Sequence, residues 1–254
     1  MTSPGAFPTL EIEIRDPIRR SEGQRFAEST DTPIVSSSRV SKGRLRLVFL
    51  SEAIELWDHD CVRRGTRIDF TQIDTRIASG NISRNQPLAR AVGRDATHIV
   101  DSTAGFGHDA FLLACMGYTV TAFERNPFIH LMLNDALQRA QEDPETRSII
   151  GDRLRIVHDD SCSILDQLDP VPDTIYLDPM FESGRSRSAL PKKPAQILRN
   201  IVGEDVDSIE LFETARRSAT RVVVKRTDGD PPLVDAPTHS IKGKIVRYDV
   251  YINT

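Results

Sequence analysis

Over the first 75 residues the apolar positions come in short, irregular groups. Leu10, Ile12 and Ile14 alternate with Glu11 and Glu13, the period-two pattern of a half-buried strand. Residues 30–38 are polar and proline-containing and read as loop. The patterning predicts further strands over 44–50 and 66–70, with a short helix over 52–59 between them. From about residue 84 the texture changes, and strand-like and helix-like segments alternate. Helices are expected over 85–92, 109–116, 127–141, 162–168, 195–202 and 208–218. Strands are expected over 98–101, 119–123, 154–158, 174–177, 221–225 and 245–252. Such alternation implies parallel strands joined by crossover helices. The expected architecture is therefore α/β, a Rossmann-like doubly wound sheet in residues 76–254, preceded by a small N-terminal α/β accessory module in residues 1–75. Ligands of such sheets bind at the carboxyl ends of the strands, so the chemistry is sought in the loops that follow them.

The loop after the first strand of the larger unit reads Asp101-Ser-Thr-Ala-Gly105-Phe-Gly107-His108-Asp109. Glycines at 105 and 107 permit a tight turn and close approach of a ligand, and the following helix offers free N–H groups to the same space. Gly105-x-Gly107-x-x-Ala110 also satisfies a dinucleotide fingerprint, with Glu124 about 20 residues further on. Two acids weigh against a dinucleotide. Asp109 stands where a helix N-terminus would hold a pyrophosphate, and Asp101 ends the preceding strand. Carboxylates suit instead a donor with a cationic sulfur and an ammonium group. Asp109 also reads as a helix cap, and it can serve in both ways. Glu124, after the second strand, has the geometry to accept both hydroxyls of a ribose, or is an exposed strand-end acid. Asp160-Ser161, after the third, suits an adenine amino group and ring nitrogen, or caps the next helix.

The segment Tyr176-Leu-Asp178-Pro179-Met180-Phe181 carries the most specific chemistry. It resembles the (D/N)-P-P-(Y/F) signature of methyltransferases that act on exocyclic amino groups. The lone pair of such an amine is delocalised into the base. The Asp178 carboxylate and Pro179 carbonyl would accept its N–H bonds, and Phe181 would stack on the base once it has left its helix. Met180 replaces the second proline of that signature. Basic residues at Arg185, Arg187, Lys192, Lys193, Lys225 and Arg226 would line the same rim of the sheet and are candidate phosphate contacts.

Composition narrows this reading without redirecting it. The 254-residue chain has 39% hydrophobic and 28% charged residues and a formal net charge of −4, so no overall basicity advertises nucleic-acid binding. No apolar run approaches the length of a membrane span, and the first residues show no secretory pattern. The three cysteines, an odd number without C-x-x-C spacing, point to a reducing, cytoplasmic setting and to no zinc site. The six histidines show no metal-ligand spacing, and no G-x-S-x-G suggests a covalent nucleophile, so no metal is expected.

Taken in order, Asp101-x-Thr-Ala-Gly-x-Gly-x-Asp-Ala-Phe111, Glu124-Arg125-Asn-Pro127, Tyr176-Leu-Asp-Pro-Met-Phe181, Ser188-Ala-Leu190, Lys192-Lys193 and Val222-Val-Val-Lys-Arg226 resemble the RsmJ family of bacterial 16S ribosomal RNA guanine-N2 methyltransferases. The resemblance covers roughly residues 80–254. It implies a class I methyltransferase sheet, S-adenosylmethionine as donor, and 16S rRNA or the small ribosomal subunit as partner. It further implies donor contacts at His108, Asp109, Glu124, Arg125, Asp160, Ser161 and Asp178, and an entry segment for RNA or donor that includes Arg84. His108 stands where the family commonly has Arg, and Asp160 where it commonly has Ser.

Overall fold

The computed structural model describes residues 9–36, 40, 42–59, 63–76, 79–179 and 207–253. Phe181, Arg185, Arg187, Lys192, Lys193 and the helix expected over 195–202 lie outside the described residues.

Alternation of Ile12 and its neighbours with Glu11 and Glu13 does make a strand, β1 (Thr9–Ile14). It pairs in parallel with β2 (Arg44–Phe49), which pairs antiparallel with β3 (Ile54–Trp57). The polar face of this small sheet is closed by Arg46, which is 2% exposed and donates to Glu11 at 2.6 Å and Glu13 at 2.9 Å. The opposite face, with Ile12, Leu47, Phe49, Ile54 and Leu56, is apolar and buried. A 3-10 turn (Pro17–Arg19) leads into α1 (Arg20–Ser29).

The second sheet has seven strands: β4 (His98–Asp101), β5 (Thr119–Phe123), β6 (Leu154–Val157), β7 (Thr174–Leu177), β8 (Arg221–Thr227), β9 (His239–Lys242) and β10 (Val246–Ile252). Their spatial order is β6-β5-β4-β7-β8-β10-β9. The first five run parallel, and β10 and β9 each run antiparallel to the strand before them in that order. Parallel strands buried on both faces need apolar side chains on both. Ile99, Tyr176 and Val223 face α2 (Pro87–Val92), α3 (His108–Cys115) and α4 (Pro127–Glu142). Val100, Ile175, Leu177, Val222 and Val224 face α7 (Ser208–Ser218), with α6 (Ser161–Ile164) on the same side. The sheet is thus doubly wound. Its strand order reverses between β4 and β7, which opens a crevice at their carboxyl ends.

Helix starts follow local chemistry. Asn126 caps α4 by accepting from the Phe128 and Ile129 N–H groups, with Pro127 at the first helical position. Asp143-Pro144 repeats the device and starts α5 (Pro144–Ile150). The two sheets share a continuous apolar core. The buried Asp135 of α4 joins them by receiving Arg19 at 2.7 Å and the Ile54 N–H at 3.2 Å, and Phe26 of α1 meets Phe128 of α4 edge-on at 5.4 Å.

Four expectations change. Residues 52–59 form no helix: Leu50 and Ala53 close a tight turn, and the period-two run Ile54–Trp57 pairs back onto β2 with all four residues buried. Residues 66–70 make only a bridge, Leu56 with Thr66, before a 3-10 turn over Phe70–Gln72. Helices α1 and α5 and edge strand β9 were not anticipated. Finally, with no helix between β8 and β10, the last long strand returns antiparallel rather than parallel.

Candidate active site

The loop that leaves β4 is stitched to both neighbouring strands, β7 and β5. Ser102 donates from both its N–H and its hydroxyl to the Tyr176 carbonyl of β7, each at 3.0 Å. The Ala104 N–H reaches the Phe123 carbonyl of β5. The Gly105 N–H donates to Glu124 Oε2 at 3.0 Å, while Asn126 N–H donates to Oε1 at 2.7 Å. Glu124 is buried, and these bonds place its carboxylate at the β5 end, flush with the glycine loop.

Gly105 and Gly107 both have positive φ, 53° and 71°. At Gly107 the requirement is also steric. A Cβ there would stand 2.6 Å from Leu133 and 3.0 Å from Phe70, the residue that stacks on Phe111 of α3. The N-terminal segment therefore presses on the back of the loop. Gly107→Ala is expected to cost about 2–5 kcal/mol from left-handed strain and overpacking together, measured by denaturant unfolding. A loss too small to resolve would contradict this packing.

Acids surround one ammonium at the centre. Lys225 of β8 reaches Asp109 Oδ2 and Asp178 Oδ2, each at 2.8 Å. Tyr176 donates to the same Asp109 oxygen at 2.6 Å. The Asp178 N–H donates to Thr103 Oγ1 at 2.6 Å, which ties the end of β7 to the glycine loop. Burial works against the charge of Asp109, but the His108 ring, Lys225 and Tyr176 outweigh it and hold the carboxyl well below the usual range. Burial likewise opposes the charge of Lys225, and Asp178 with Asp109 overcomes it, so the ammonium stays protonated. Asp101 differs. Burial, reinforced by Asp109 and Asp178, pushes its carboxyl up to about 8 against one bond from the Thr103 N–H. Among the described residues no buried side-chain nitrogen or oxygen lacks a partner.

The crevice thus gathers Asp101, Gly105, Gly107, Asp109, Glu124, Asp178 and the buried Pro179. His108 lies at its rim with 63% of its side chain exposed. Other expected residues also make bonds within the protein. Ser161 is buried and donates to the Ser102 carbonyl at 2.8 Å, so its hydroxyl braces the loop instead of facing a base. Asp160 Oδ1 caps α6 through the Cys162 N–H. Arg125 pairs with Asp207. Lys225 is bound to two carboxylates, and Arg226 donates from Nε to the Pro231 carbonyl. Arg84 stands at the opposite end of the sheet. It donates to the carbonyls of Arg94, Met116 and Gly117, which precede β4 and β5, and lies over the Tyr118 ring at 4.3 Å. Thr103, Tyr176 and Ser102 were missed. Only strand register, which brings β7 beside β4, reveals their roles.

Comparison with known proteins gives this arrangement its family. Residues 36–253 match the family model of SAM-dependent methyltransferases (SAM_MT). The ribosomal RNA small subunit methyltransferase J of Enterobacter sp. (strain 638) is 43% identical over 218 residues, covering 83% of this chain and 85% of that protein. That of Serratia proteamaculans is 39% identical over 217 residues, covering 82% and 86%.

The chain belongs to the ribosomal RNA small subunit methyltransferase J family.

A solved structure agrees: the SAM-dependent methyltransferase NGO1261 from Neisseria gonorrhoeae superposes with a TM-score of 0.70 at 28% identity, each chain covered to 95%. This methyltransferase is an enzyme whose cofactor is S-adenosylmethionine. The donor set fits that cofactor. Carboxyls at Asp101, Asp109 and Glu124 ring two left-handed glycines, and an acid on the first turn of α3 opposes a pyrophosphate but suits a cation. The family match decides against the dinucleotide alternative. Among the described residues no helix is long and apolar enough to cross a membrane.

Proposed function

We propose that this methyltransferase modifies the exocyclic N2 of a guanine in 16S ribosomal RNA, as free RNA or within the small ribosomal subunit. The observation that carries the reading is Asp178. Its backbone is bonded to Thr103 of the glycine loop and its carboxylate to Lys225, so an amine acceptor stands at the switch point beside the donor loop. The relatives named ribosomal RNA small subunit methyltransferase J support the class of RNA.

When bound, S-adenosylmethionine supplies an electrophilic methyl group on a cationic sulfur. Glu124 holds the ribose hydroxyls, using acceptor sites beyond the two that take the Gly105 and Asn126 amides. Asp101 receives the donor's ammonium, and a cation beside it favours the ionised form that burial alone disfavours. His108, Asp109 and Arg125 border the same space, and Asp160 meets the adenine amino group. Asp178 and the Pro179 carbonyl accept the N–H bonds of the guanine amine and draw its nitrogen toward sp³ geometry. Phe181 stacks on the extruded base. Positioning supplies most of the rate enhancement, with no metal and no covalent intermediate. Arg185, Arg187, Lys192 and Lys193 contact phosphates. Residues 1–75 act as an accessory module that supports the glycine loop through Phe70.

The test is transfer of isotope-labelled methyl groups to unmethylated small-subunit RNA and to assembled subunits, followed by nucleoside mass spectrometry. The expected product is N2-methylguanosine. Label in methyladenosine, or none in either substrate, overturns the proposal. Calorimetry runs beside it, with S-adenosylhomocysteine expected to bind and NAD not to.

A further inference from the structure

Strand register puts Lys225 beside Asp178. β8 pairs in parallel with β7, with Leu177 opposite Val224, so the next residues on the two strands are neighbours. The ammonium does not rely on the substrate for its position. It is also bound by Asp109, which the Tyr176 hydroxyl holds from β7. With 22% of the lysine side chain and 42% of the aspartate side chain exposed, the pair lies at the floor of the crevice, open toward its mouth.

We propose that Lys225 is a positioning residue for methyl transfer: it clamps one oxygen of Asp178 and keeps that carboxylate in the ionised form that receives the guanine amine. The proposal rests on the reading of Asp178 given above. Its physical basis is the 2.8 Å ion pair between Lys225 and Asp178, set among other acids. Among the described residues, those facing Asp178 are Lys225 from β8, Asp109 with His108 behind it from α3, Asp101 from β4, and the phenols of Tyr176 and Tyr248 from β7 and β10. Among these described groups Lys225 is the cation bonded to Asp178, at 2.8 Å, and Asp109 and Asp101 are carboxyls. Without it, like charges raise the proton affinity of Asp178, and an incoming polyanionic RNA raises it further. During transfer the N–C bond forms while the electron pair of the broken C–S bond goes to sulfur. The amine nitrogen becomes positive until a proton leaves it for water. An ionised Asp178 stabilises that charge, and a protonated one does not.

The experiment measures kcat against pH at saturating donor and unmethylated small subunits, for wild type, Lys225→Gln, Lys225→Arg and Asp178→Ala. S-adenosylhomocysteine affinity is measured for each. In Lys225→Gln the acid limb of the profile should move up by about one to three pH units. Its deficit should therefore be large near neutrality and close as pH rises, with donor affinity little changed. Lys225→Arg should keep the wild-type limb. An unmoved limb in Lys225→Gln, or an Arg variant as impaired as the Gln variant, overturns the proposal. Lys225→Met provides a second neutral variant, and failure of both neutral variants to fold makes Lys225 a folding residue and also overturns it. If Asp178→Ala retains wild-type turnover, the underlying reading of Asp178 is what falls. If Asp178→Ala is inactive while Lys225→Gln keeps its limb, the role of Lys225 alone falls.

Discussion

Asp178→Ala should lower turnover by about two orders of magnitude or more, the loss seen when a polar group aimed at a transition state is removed. The carboxylate is not buried within the core; 42% of its side chain is exposed and its backbone is held by Thr103. Removing it should leave the fold and the glycine loop in place. The loss should therefore appear in kcat, with S-adenosylhomocysteine affinity close to wild type, because the interaction is made with the reacting amine and not with the donor. Asp178→Asn keeps one acceptor oxygen and the side-chain shape, and should fall between the alanine variant and wild type. Single-turnover rates with saturating donor and RNA make the comparison. A kcat within a few-fold of wild type for the alanine variant would remove Asp178 from the reaction, and equal loss of donor affinity would make it a binding group.

Glu124→Ala should act on the donor instead. Losing two charge-assisted hydrogen bonds to a ribose corresponds to about 100-fold or more in donor affinity. A second effect comes from the protein alone. The half-buried Gly105 and Asn126 N–H groups lose their acceptor, and each costs at most the roughly 1–3 kcal/mol of a fully buried unpaired donor. The variant should therefore unfold at lower denaturant and bind S-adenosylhomocysteine weakly, yet approach wild-type kcat where donor saturates. Glu124→Gln, which retains one acceptor oxygen, should recover part of both. Calorimetry and equilibrium unfolding separate the two effects. Unchanged donor affinity in Glu124→Ala would move the ribose contact elsewhere.

Much of this site was legible before any coordinates. The central parallel strands announce themselves because a strand buried on both faces must be a short, near-continuous apolar run ended by turn residues, as at Ile99–Val100, Ile175–Leu177 and Val222–Val224. The residues just past those runs then fall at one edge of the sheet, which is why Asp101, Glu124 and Asp178 could be grouped from spacing alone. The short run Ala53–Trp57 was misjudged because an apolar segment of that size carries too few residues to separate a period of 2 from 3.6. Pairing with β2 decided it, by burying all four residues of β3.

Charged residues show the same division. Residue type says that Lys225, Arg84 and Ser161 carry donors, and nothing more. Lys225 turns inward because β8 lies beside β7, where two carboxylates outweigh the cost of burying an ammonium. Arg84 is satisfied at the opposite end of the sheet by carbonyls 10, 32 and 33 residues further along the chain. Ser161 points at the Ser102 carbonyl because that buried acceptor needs a partner. The sequence by itself determined the doubly wound sheet, the glycine loop and the acids at the strand ends, because periodicity and turn chemistry are local properties of the chain. Only the tertiary structure decided which donors meet which acids, because a hydrogen bond or ion pair depends on a few ångströms between residues far apart in sequence, and strand order and register set that distance.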